Sequence, residues 1–147
     1  MKIQVRDVVS YLGRDYIVEG VVTSQLNGRT YPLARAVDGD AVLWIEPLRD
    51  DMDDRLLVLR EVRDLEMSVP PPESISYHGL TYVQRLSGRA TTQVMGVVPG
   101  RAPGSYQVWR YRAAGDLHIQ IEEGGGRVFM LAGESVARGM IDFLPGK

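Results

Sequence analysis

The chain has 147 residues, of which 44% are hydrophobic and 24% charged, and a formal net charge of -2. This composition is typical of an ordinary globular domain and is too apolar for a wholly disordered chain. The lack of cysteine excludes disulfides, thiolate zinc sites and cysteine nucleophiles. The slightly negative charge, with arginines scattered along the chain, argues against nucleic-acid binding.

The N-terminal segment Met1–Asp7 reaches an acidic residue before any long apolar run, which is not the pattern of a signal peptide. No stretch approaches the ~18 apolar residues of a transmembrane helix. We therefore expect a cytoplasmic protein without a transmembrane segment.

Short β-branched and aromatic segments predict strands along the whole chain. These segments include Tyr16–Val18, Leu80–Val83, Tyr106–Tyr111 and Leu117–Ile121. Between them lie turn-forming residues such as Asn27-Gly28 and Gly124-Gly125-Gly126, at the spacing of an all-β barrel or sandwich. One segment, Gly133–Phe143, is a short helical candidate.

Two halves of the chain resemble each other. Gly13–Tyr16 and Gly79–Tyr82 share the pattern Gly-x-x-Tyr. A second shared pattern is an aspartate followed by a glutamate at the same spacing in both halves. These residues are Asp40 and Glu46 in the first half and Asp116 and Glu122 in the second. Such self-similarity predicts a duplicated supersecondary unit. We therefore expect an all-β protein in which two related, small barrel-like or curved antiparallel-sheet repeats pack as one domain.

The proposed boundary between the repeats is the proline-rich segment 68–74, which reads as an extended linker. The first β repeat would then span residues 1–67 and the second 75–147. The offsets of the matched positions predict a longer connection in the second half, at Gly96–Gly104. The acidic turn of Asp50, Asp51, Asp53 and Asp54 is interpreted as a solvated loop rather than a cation site.

Alternation along the matched strands assigns their side chains to two faces. Leu43 and Ile45 correspond to Ile119 and Ile121 and predict a shared apolar core face. On the other face, Val42 and Trp44 correspond to His118 and Gln120, so this face of the first repeat is expected to meet the other repeat or a second subunit. Glu46 and Glu122 are expected to fill a repeated structural role at a strand end, accepting backbone amides.

Several other residues could form a ligand site. Trp109 and Tyr111 lie two residues apart on one strand face and could stack on a base or sugar. His118 and Glu122 share a face of the next strand, but nothing in the sequence brings the second histidine, His78, to them, so no metal site is predicted. No nucleophile motif or catalytic triad is readable.

An ordered set of motifs resembles the bacterial family called domain of unknown function 4178. The motifs are Gly13-x-x-Tyr16-x-Val18-x-Gly20, Tyr31-x-Leu33, Trp44, Gly79-x-x-Tyr82, Glu122 and Gly133-Glu134. The resemblance covers nearly the whole chain. It implies a β-rich bacterial module, with genes near envelope-stress and membrane-associated genes, and it carries over no catalytic residues.

These features predict a non-catalytic binding or scaffold module that takes a protein partner or forms a homo-oligomer. The family resemblance implies a link to envelope stress. Trp44 and Arg101 are the candidate protein-binding residues. The alternative is a small-ligand-binding protein or enzyme with a cleft between the repeats. That cleft would use Trp109, Tyr111, His118 and Glu122. No cofactor is predicted.

Overall fold

The computed structural model describes residues 2–48 and 55–146, which form eleven β-strands and one short 3₁₀-helix, Arg138–Met140. The strands are β1 Val8–Tyr11, β2 Arg14–Leu26, β3 Arg29–Asp38, β4 Ala41–Pro47, β5 Arg55–Glu61, β6 Ser74–Tyr77, β7 Leu80–Gly96, β8 Gly104–Ala113, β9 Leu117–Gly124, β10 Arg127–Ala137 and β11 Ile141–Leu144. The all-β class is therefore confirmed. In the described ranges no helix has the length and hydrophobicity of a membrane span.

Eight strands close into one antiparallel barrel in the order β2-β3-β4-β5-β10-β9-β8-β7. The ring closes where β2 pairs with β7, from Gly20 opposite Gly96 to Gln25 opposite Thr91. On the far side, β5 pairs with β10. The first half of the chain supplies β2 to β5 and the second half supplies β7 to β10, so both halves build a single barrel.

The long strands β2 and β7 each leave the barrel at their N-terminal end. There β2 pairs with β1, which in turn pairs with β11, and β7 pairs with β6. The register shifts between Val18 and Gly20 in β2 and between Gln84 and Leu86 in β7. A bulge of this kind bends a strand and changes which face its side chains take. Each long strand can therefore belong to the barrel and to an outer sheet.

Side chains on both faces of the barrel wall are buried. Leu43 and Ile45 belong to an outer cluster with the N-terminal Ile3, and Ile119 and Ile121 belong to a second outer cluster. The predicted shared apolar face is thus buried, and it faces outwards under the segments that cover the barrel. Alternate positions on the same strands point into the barrel.

Trp44 faces the barrel interior, where it packs with Val98 and Leu131 from the second half. Of the two alternatives for this face, contact with the other half is therefore the one observed. The longer connection expected at Gly96–Gly104 is present as residues 97–103 between β7 and β8, whereas β2 and β3 are joined by Asn27 and Gly28.

The prediction of a short helix at Gly133–Phe143 is wrong. This segment contains the end of β10, the 3₁₀-helix and most of β11. Gly133 to Ala137 pair with β5. A Cβ at Gly133 would lie 2.0 Å from the Val58 carbonyl oxygen, so glycine is needed for this close approach. Long-range strand pairing outweighs local helical propensity here. The glycine turn is confirmed between β9 and β10, with Gly125 and Gly126 at φ of 59° and 76°.

The proline-rich segment packs against the outer cluster of the second half. Val69 contacts this cluster, and the Tyr111 hydroxyl donates a hydrogen bond of 2.7 Å to the carbonyl of Pro72. The division into residues 1–67, 68–74 and 75–147 stays a prediction. The acidic turn of Asp50, Asp51, Asp53 and Asp54 lies outside the described residues.

Candidate functional site in the barrel interior

The barrel centre holds an ion pair between its two halves. Glu46 lies on β4 and Arg110 on β8, and these strands stand opposite each other in the ring of eight. Arg110 donates Nη1 to Oε2 of Glu46 at 2.6 Å and Nη2 to Oε1 at 2.7 Å. The Tyr31 ring centroid lies 4.4 Å from the guanidinium carbon. This bidentate geometry is the strongest form of arginine–carboxylate contact.

Burial and the neighbouring charges shift the pKa of Arg110 in opposite directions. Burial lowers its pKa, but the charge and hydrogen bonds of Glu46 outweigh that effect, and the pKa is raised above its ordinary value. Gln120 donates its Nε2 to Oε2 of Glu46 at 3.5 Å. The expectation that Glu46 accepts backbone amides is therefore wrong, since its described partners are side chains of the second half.

A second buried ion pair joins the 97–103 connection to β9. Arg101 donates Nη2 to Oε1 of Glu122 at 2.8 Å, and only 4% and 7% of the two side chains are exposed. The ring centroids of Tyr106 and Phe129 lie 4.4 and 4.5 Å from the Arg101 guanidinium carbon. For Glu122 too, the described partner is an arginine rather than a backbone amide. Arg101 is therefore part of the interior and not of an exposed loop surface.

Val98 anchors the same connection inside the barrel. It is buried in the interior cluster that contains Val22 and Trp44. A Cβ at Gly20 would lie 2.4 Å from Val98 Cγ2 and 2.5 Å from the Val97 carbonyl oxygen. Glycine at position 20 thus allows the connection to approach β2 closely.

A cavity of about 250 Å³, called here the first cavity, lies beside the second ion pair. Its lining includes Leu33, Trp44, Arg101, Gln120, Glu122 and Leu131. Three buried polar atoms on these side chains have no hydrogen-bond partner within the described part of the chain: Trp44 Nε1, Arg101 Nε and Gln120 Oε1. Buried polar atoms in folded proteins are nearly always hydrogen-bonded. The three atoms are buried beneath the cavity surface, which other atoms of these side chains form.

The orientation of the Gln120 amide follows from its neighbours. Its Nε2 faces the Glu46 carboxylate. A flipped amide would direct an oxygen at that carboxylate, where two acceptors would repel each other. Oε1 consequently stays buried without a described hydrogen-bond partner.

A second cavity of about 510 Å³ also borders Gln120. Arg110, Arg112 and His118 are among its lining residues. Burial, and then the charge of Arg112, lower the pKa of His118 to about 4, while Asp116 acts in the opposite direction. His118 is consequently a neutral imidazole at pH 7. Within residues 2–48 and 55–146, no three His, Asp or Glu side chains form a group that could hold a metal ion.

The four residues predicted to line a ligand cleft lie on two faces of the sheet. Trp109 and Tyr111 belong to the outer cluster beneath β6 and the proline-rich segment. Glu122 lines the first cavity, and His118 lines the second together with Tyr111. Trp109 is therefore separated by the barrel wall from the interior polar groups.

The two residues predicted to bind a protein, Trp44 and Arg101, both line the first cavity with Glu122. Sequence reasoning missed Arg110 and the contact of Gln120 with Glu46. The correspondence of Glu46 with Glu122 marked two equivalent positions, but no sequence signal paired either glutamate with its arginine. The pairs depend on closure of the barrel.

Fold and site together define an all-β protein with a closed eight-stranded antiparallel barrel, whose interior holds two ion pairs among apolar side chains. The family model for the domain of unknown function (DUF4178) matches residues 4–138. The chain therefore belongs to this family. Comparison with curated proteins and with solved structures finds no match.

Proposed function

We propose that this protein is a non-catalytic binding protein that holds a small ligand in the first cavity. The observation that carries the proposal is the first cavity itself, about 250 Å³ in volume, which is lined by apolar side chains and by the buried Arg101–Glu122 pair. A ligand in this cavity can bury its apolar surface and also lie against polar side chains.

The cavity has a route to solvent. Its lining runs from the buried Gln120 to Arg63, whose side chain is 89% exposed. Pockets of this kind, apolar with a few polar groups, are the usual form of a small-molecule site. A ligand can therefore enter the first cavity beside Arg63.

The arrangement favours binding over catalysis. The two carboxylates among the described lining residues of the first cavity, Glu122 and Glu61, form ion pairs with Arg101 at 2.8 Å and with Arg63 at 3.7 Å. A general base needs a carboxylate or imidazole within reach of the proton that it removes. His118 lines the other cavity. The groups at the first cavity are thus suited to hold a ligand.

A thermal-shift screen with a broad metabolite panel tests the proposal, because a ligand that binds only the native state raises its stability by mass action. We expect a ligand to raise the Tm of the wild type and of Trp109→Phe, which alters the outer cluster. The shift should shrink in Gln120→Leu and Trp44→Phe. The same chemical change at an exposed position, Gln93→Leu, is the control. An unchanged shift in both interior variants would refute the assignment of the site.

A protein-binding or homo-oligomeric role is the second candidate. It is supported by the outer sheet that β11 and β1 form with the N-terminal end of β2. β11 and β6 stand at the two ends of the strand order. Val8 pairs with both Ile17 and Leu144, and Ile17 and Leu144 are 53% and 58% exposed. An apolar row beside an edge strand is a typical place for strand addition. A link with envelope stress stays a prediction from the family resemblance.

Crosslinking and light scattering test this second role. Leu144→Asp should abolish partner capture or self-association, whereas Met140→Asp, at another exposed apolar position, should not. Equal behaviour of the two variants would argue against the outer sheet as an interface.

We also propose that residues 1–67 and 75–147 are two related β units joined by the linker 68–74. Support comes from Tyr16 and Tyr82, which are both buried just before the bulges of β2 and β7. Because each half supplies four barrel strands, separately expressed halves should regain the native spectrum only when mixed. A half that folds by itself would contradict this dependence.

A further inference from the structure

We infer that the second cavity binds a small organic anion, whose oxyanion group lies beside Arg85 and Arg112 and whose apolar part lies against Leu57 and Leu86. The oxyanion is a phosphate or a carboxylate, since both accept paired hydrogen bonds from arginine. This site lies apart from the first cavity and does not depend on the function proposed for that cavity.

The two cavities lie towards opposite ends of the barrel. β5 contributes Glu61, at its C-terminal end, to the first cavity and Leu57 to the second. β9 contributes Glu122 to the first cavity and His118, near its N-terminal end, to the second. His118, Gln120 and Glu122 alternate along one face of β9, so Gln120 stands between the two cavities. The second cavity therefore has a lining of its own.

Arg85 brings a cation without a described counter-charge to the second cavity. It is the extra residue of the β7 bulge, between Gln84 and Leu86. A bulge re-aims a side chain relative to its neighbours on the strand. Arg85 is exposed, and it forms no hydrogen bond or ion pair with any other residue that the structure describes. Its guanidinium group is therefore accessible to a ligand.

Arg112 shares its counter-ion with another arginine. It donates Nη2 to Oδ1 of Asp116 at 2.8 Å, while Arg55 donates Nη2 to Oδ2 of the same carboxylate at 3.4 Å. One carboxylate cannot neutralise two guanidinium groups. The Arg112 side chain is also 52% exposed, so a ligand can contact it.

Arg85 and Arg112 lie near each other on neighbouring strands. Arg112 pairs with Val83 of β7, two residues before Arg85, and diagonal neighbours across a ladder lie within reach of long side chains. Both arginines also line a third cavity, of about 500 Å³, beside the second. One oxyanion can therefore accept hydrogen bonds from both.

Positive charge exceeds negative charge around the second cavity. Within residues 2–48 and 55–146, the arginines of this region and the carboxylates that pair with them are Arg55, Arg85, Arg110 and Arg112 against Glu46 and Asp116. Burial is the main cause that lowers the pKa of His118 to about 4, and the charge of Arg112, which lowers it further, outweighs that of Asp116. A positive potential of this kind attracts an anion and repels a cation.

The rest of the lining favours an organic anion over an inorganic one. Leu48, Leu57 and Leu86 contribute apolar walls to the second cavity. A cavity of about 150 Å³ with apolar walls can hold benzene. The second cavity, at about 510 Å³, therefore has room for a ring and its oxyanion group.

Four probes that share a benzene ring separate the ligand classes: phenyl phosphate, phenylacetate, benzyl alcohol and benzylammonium, each titrated into the wild type at pH 7.5 and low salt. The chain has two histidines, and His78 lies elsewhere, with its Nε2 2.8 Å from Oδ2 of Asp64. Histidine-ring NMR signals therefore report on the site. We expect at least one of the two anions to shift the signals of His118 but not those of His78, and to bind about tenfold or more tightly than benzyl alcohol, as hydrogen bonds to charged groups would give. The tighter of the two anions identifies the oxyanion.

Arginine variants test the assignment of the site. Arg85→Gln and Arg112→Gln should each weaken binding of the tighter anion by about tenfold. Arg85→Gln breaks no described contact and should keep the Tm of the wild type. The matched control is Arg89→Gln, the same change at an exposed position of β7 that lines neither the second nor the third cavity. It should leave the affinity unchanged.

The inference is overturned if neither anion shifts the His118 signals, or if benzyl alcohol or benzylammonium binds as tightly as both anions. An equal loss of affinity in Arg89→Gln and Arg85→Gln would also overturn it, since the anion would then respond to overall charge rather than to this site. Unchanged affinity in both Arg85→Gln and Arg112→Gln would have the same consequence.

Discussion

Glu46 and Arg110 join opposite walls of the barrel across 64 positions of sequence, through two hydrogen bonds of 2.6 and 2.7 Å. The pair links β4 of the first half to β8 of the second. It stands beside Gln120, which borders both the first and the second cavity. The contact thus connects the stability of the barrel with the geometry of its candidate site.

Breaking this buried ion pair should lower the free energy of unfolding far more than breaking an exposed ion pair. Glu46→Ala leaves Arg110 without its carboxylate, and we expect a loss of about 3–5 kcal/mol in the free energy of unfolding. The control, Arg14→Ala, breaks a pair with Asp38 whose side chains are 54% and 45% exposed. That variant should leave the free energy of unfolding nearly unchanged, because an exposed ion pair contributes little.

Urea denaturation measures both variants of this comparison. The double variant Glu46→Leu/Arg110→Met should recover part of the stability lost by Glu46→Ala, since no buried charge is left unpaired. Similar losses for Glu46→Ala and Arg14→Ala would contradict the special role of the interior pair.

Arg101 should tolerate lysine better than an apolar residue. Arg101→Met leaves the buried Glu122 carboxylate without its partner, and we expect a loss of about 3–5 kcal/mol. Arg101→Lys keeps a charge but loses the planar contact with the Tyr106 and Phe129 rings, so its loss should be smaller. Guanidinium denaturation at constant pH gives both values. The reverse order would mean that packing, rather than the ion pair, holds the connection.

His118 should make the protein less stable as the pH falls from about 6.5 towards 4. Its pKa is lowered from 6.5 to about 4 in the folded state, so the unfolded chain binds the proton more readily over this range. A fully buried histidine would lose ~1.4 kcal/mol in the free energy of unfolding for each unit of its pKa shift. Because His118 is partly exposed, we expect a smaller loss, of about 1–2 kcal/mol between pH 7 and 4.5.

The comparison with His118→Gln isolates this contribution from that of the carboxylates. The stability difference between the wild type and His118→Gln should change between pH 7 and 4.5, as measured by urea unfolding at each pH. Parallel stability curves would show that His118 titrates alike in the folded and unfolded states.

Gly20→Ala should loosen the connection that covers the first cavity. The new Cβ would meet Val98 and the Val97 carbonyl oxygen at 2.4 and 2.5 Å, and we expect a loss of about 1–3 kcal/mol. The Val97 amide, which donates to the Glu19 carbonyl at 2.9 Å, should also exchange its hydrogen faster. Gly139→Ala is the control because no atom of another described residue, beyond its chain neighbours, lies within 4 Å of its Cβ position. Equal stability of the two variants would contradict this packing.

Much of the local structure follows from sequence pattern. Alternating apolar residues predicted the strands and the buried face of Leu43 and Ile45, and paired glycines predicted the turn at Gly125 and Gly126. These features depend on neighbours in the chain, where side-chain period and backbone freedom act directly. The helical candidate at Gly133 failed for the converse reason, since its conformation depends on pairing with β5.

The candidate site was predictable only in part. Trp44, Arg101, His118 and Glu122 were singled out, but Trp44 and Arg101 were assigned to a protein-binding surface. Their shared cavity with Glu122 requires residues 97–103 to turn into the barrel, and no spacing in the sequence encodes that turn. The sequence likewise did not distinguish a barrel from a sandwich.

By itself, the amino-acid sequence determined an all-β chain with tight glycine turns, two apolar faces on its central strands and no cysteine chemistry. The tertiary structure alone decided that β2 meets β7, that β5 meets β10, and that Glu46 and Glu122 point inwards to arginines. The physical reason is that strand formation is driven by local periodicity, whereas ring closure and buried charge pairing depend on contacts between distant segments. The interior cavities exist only once that ring has closed.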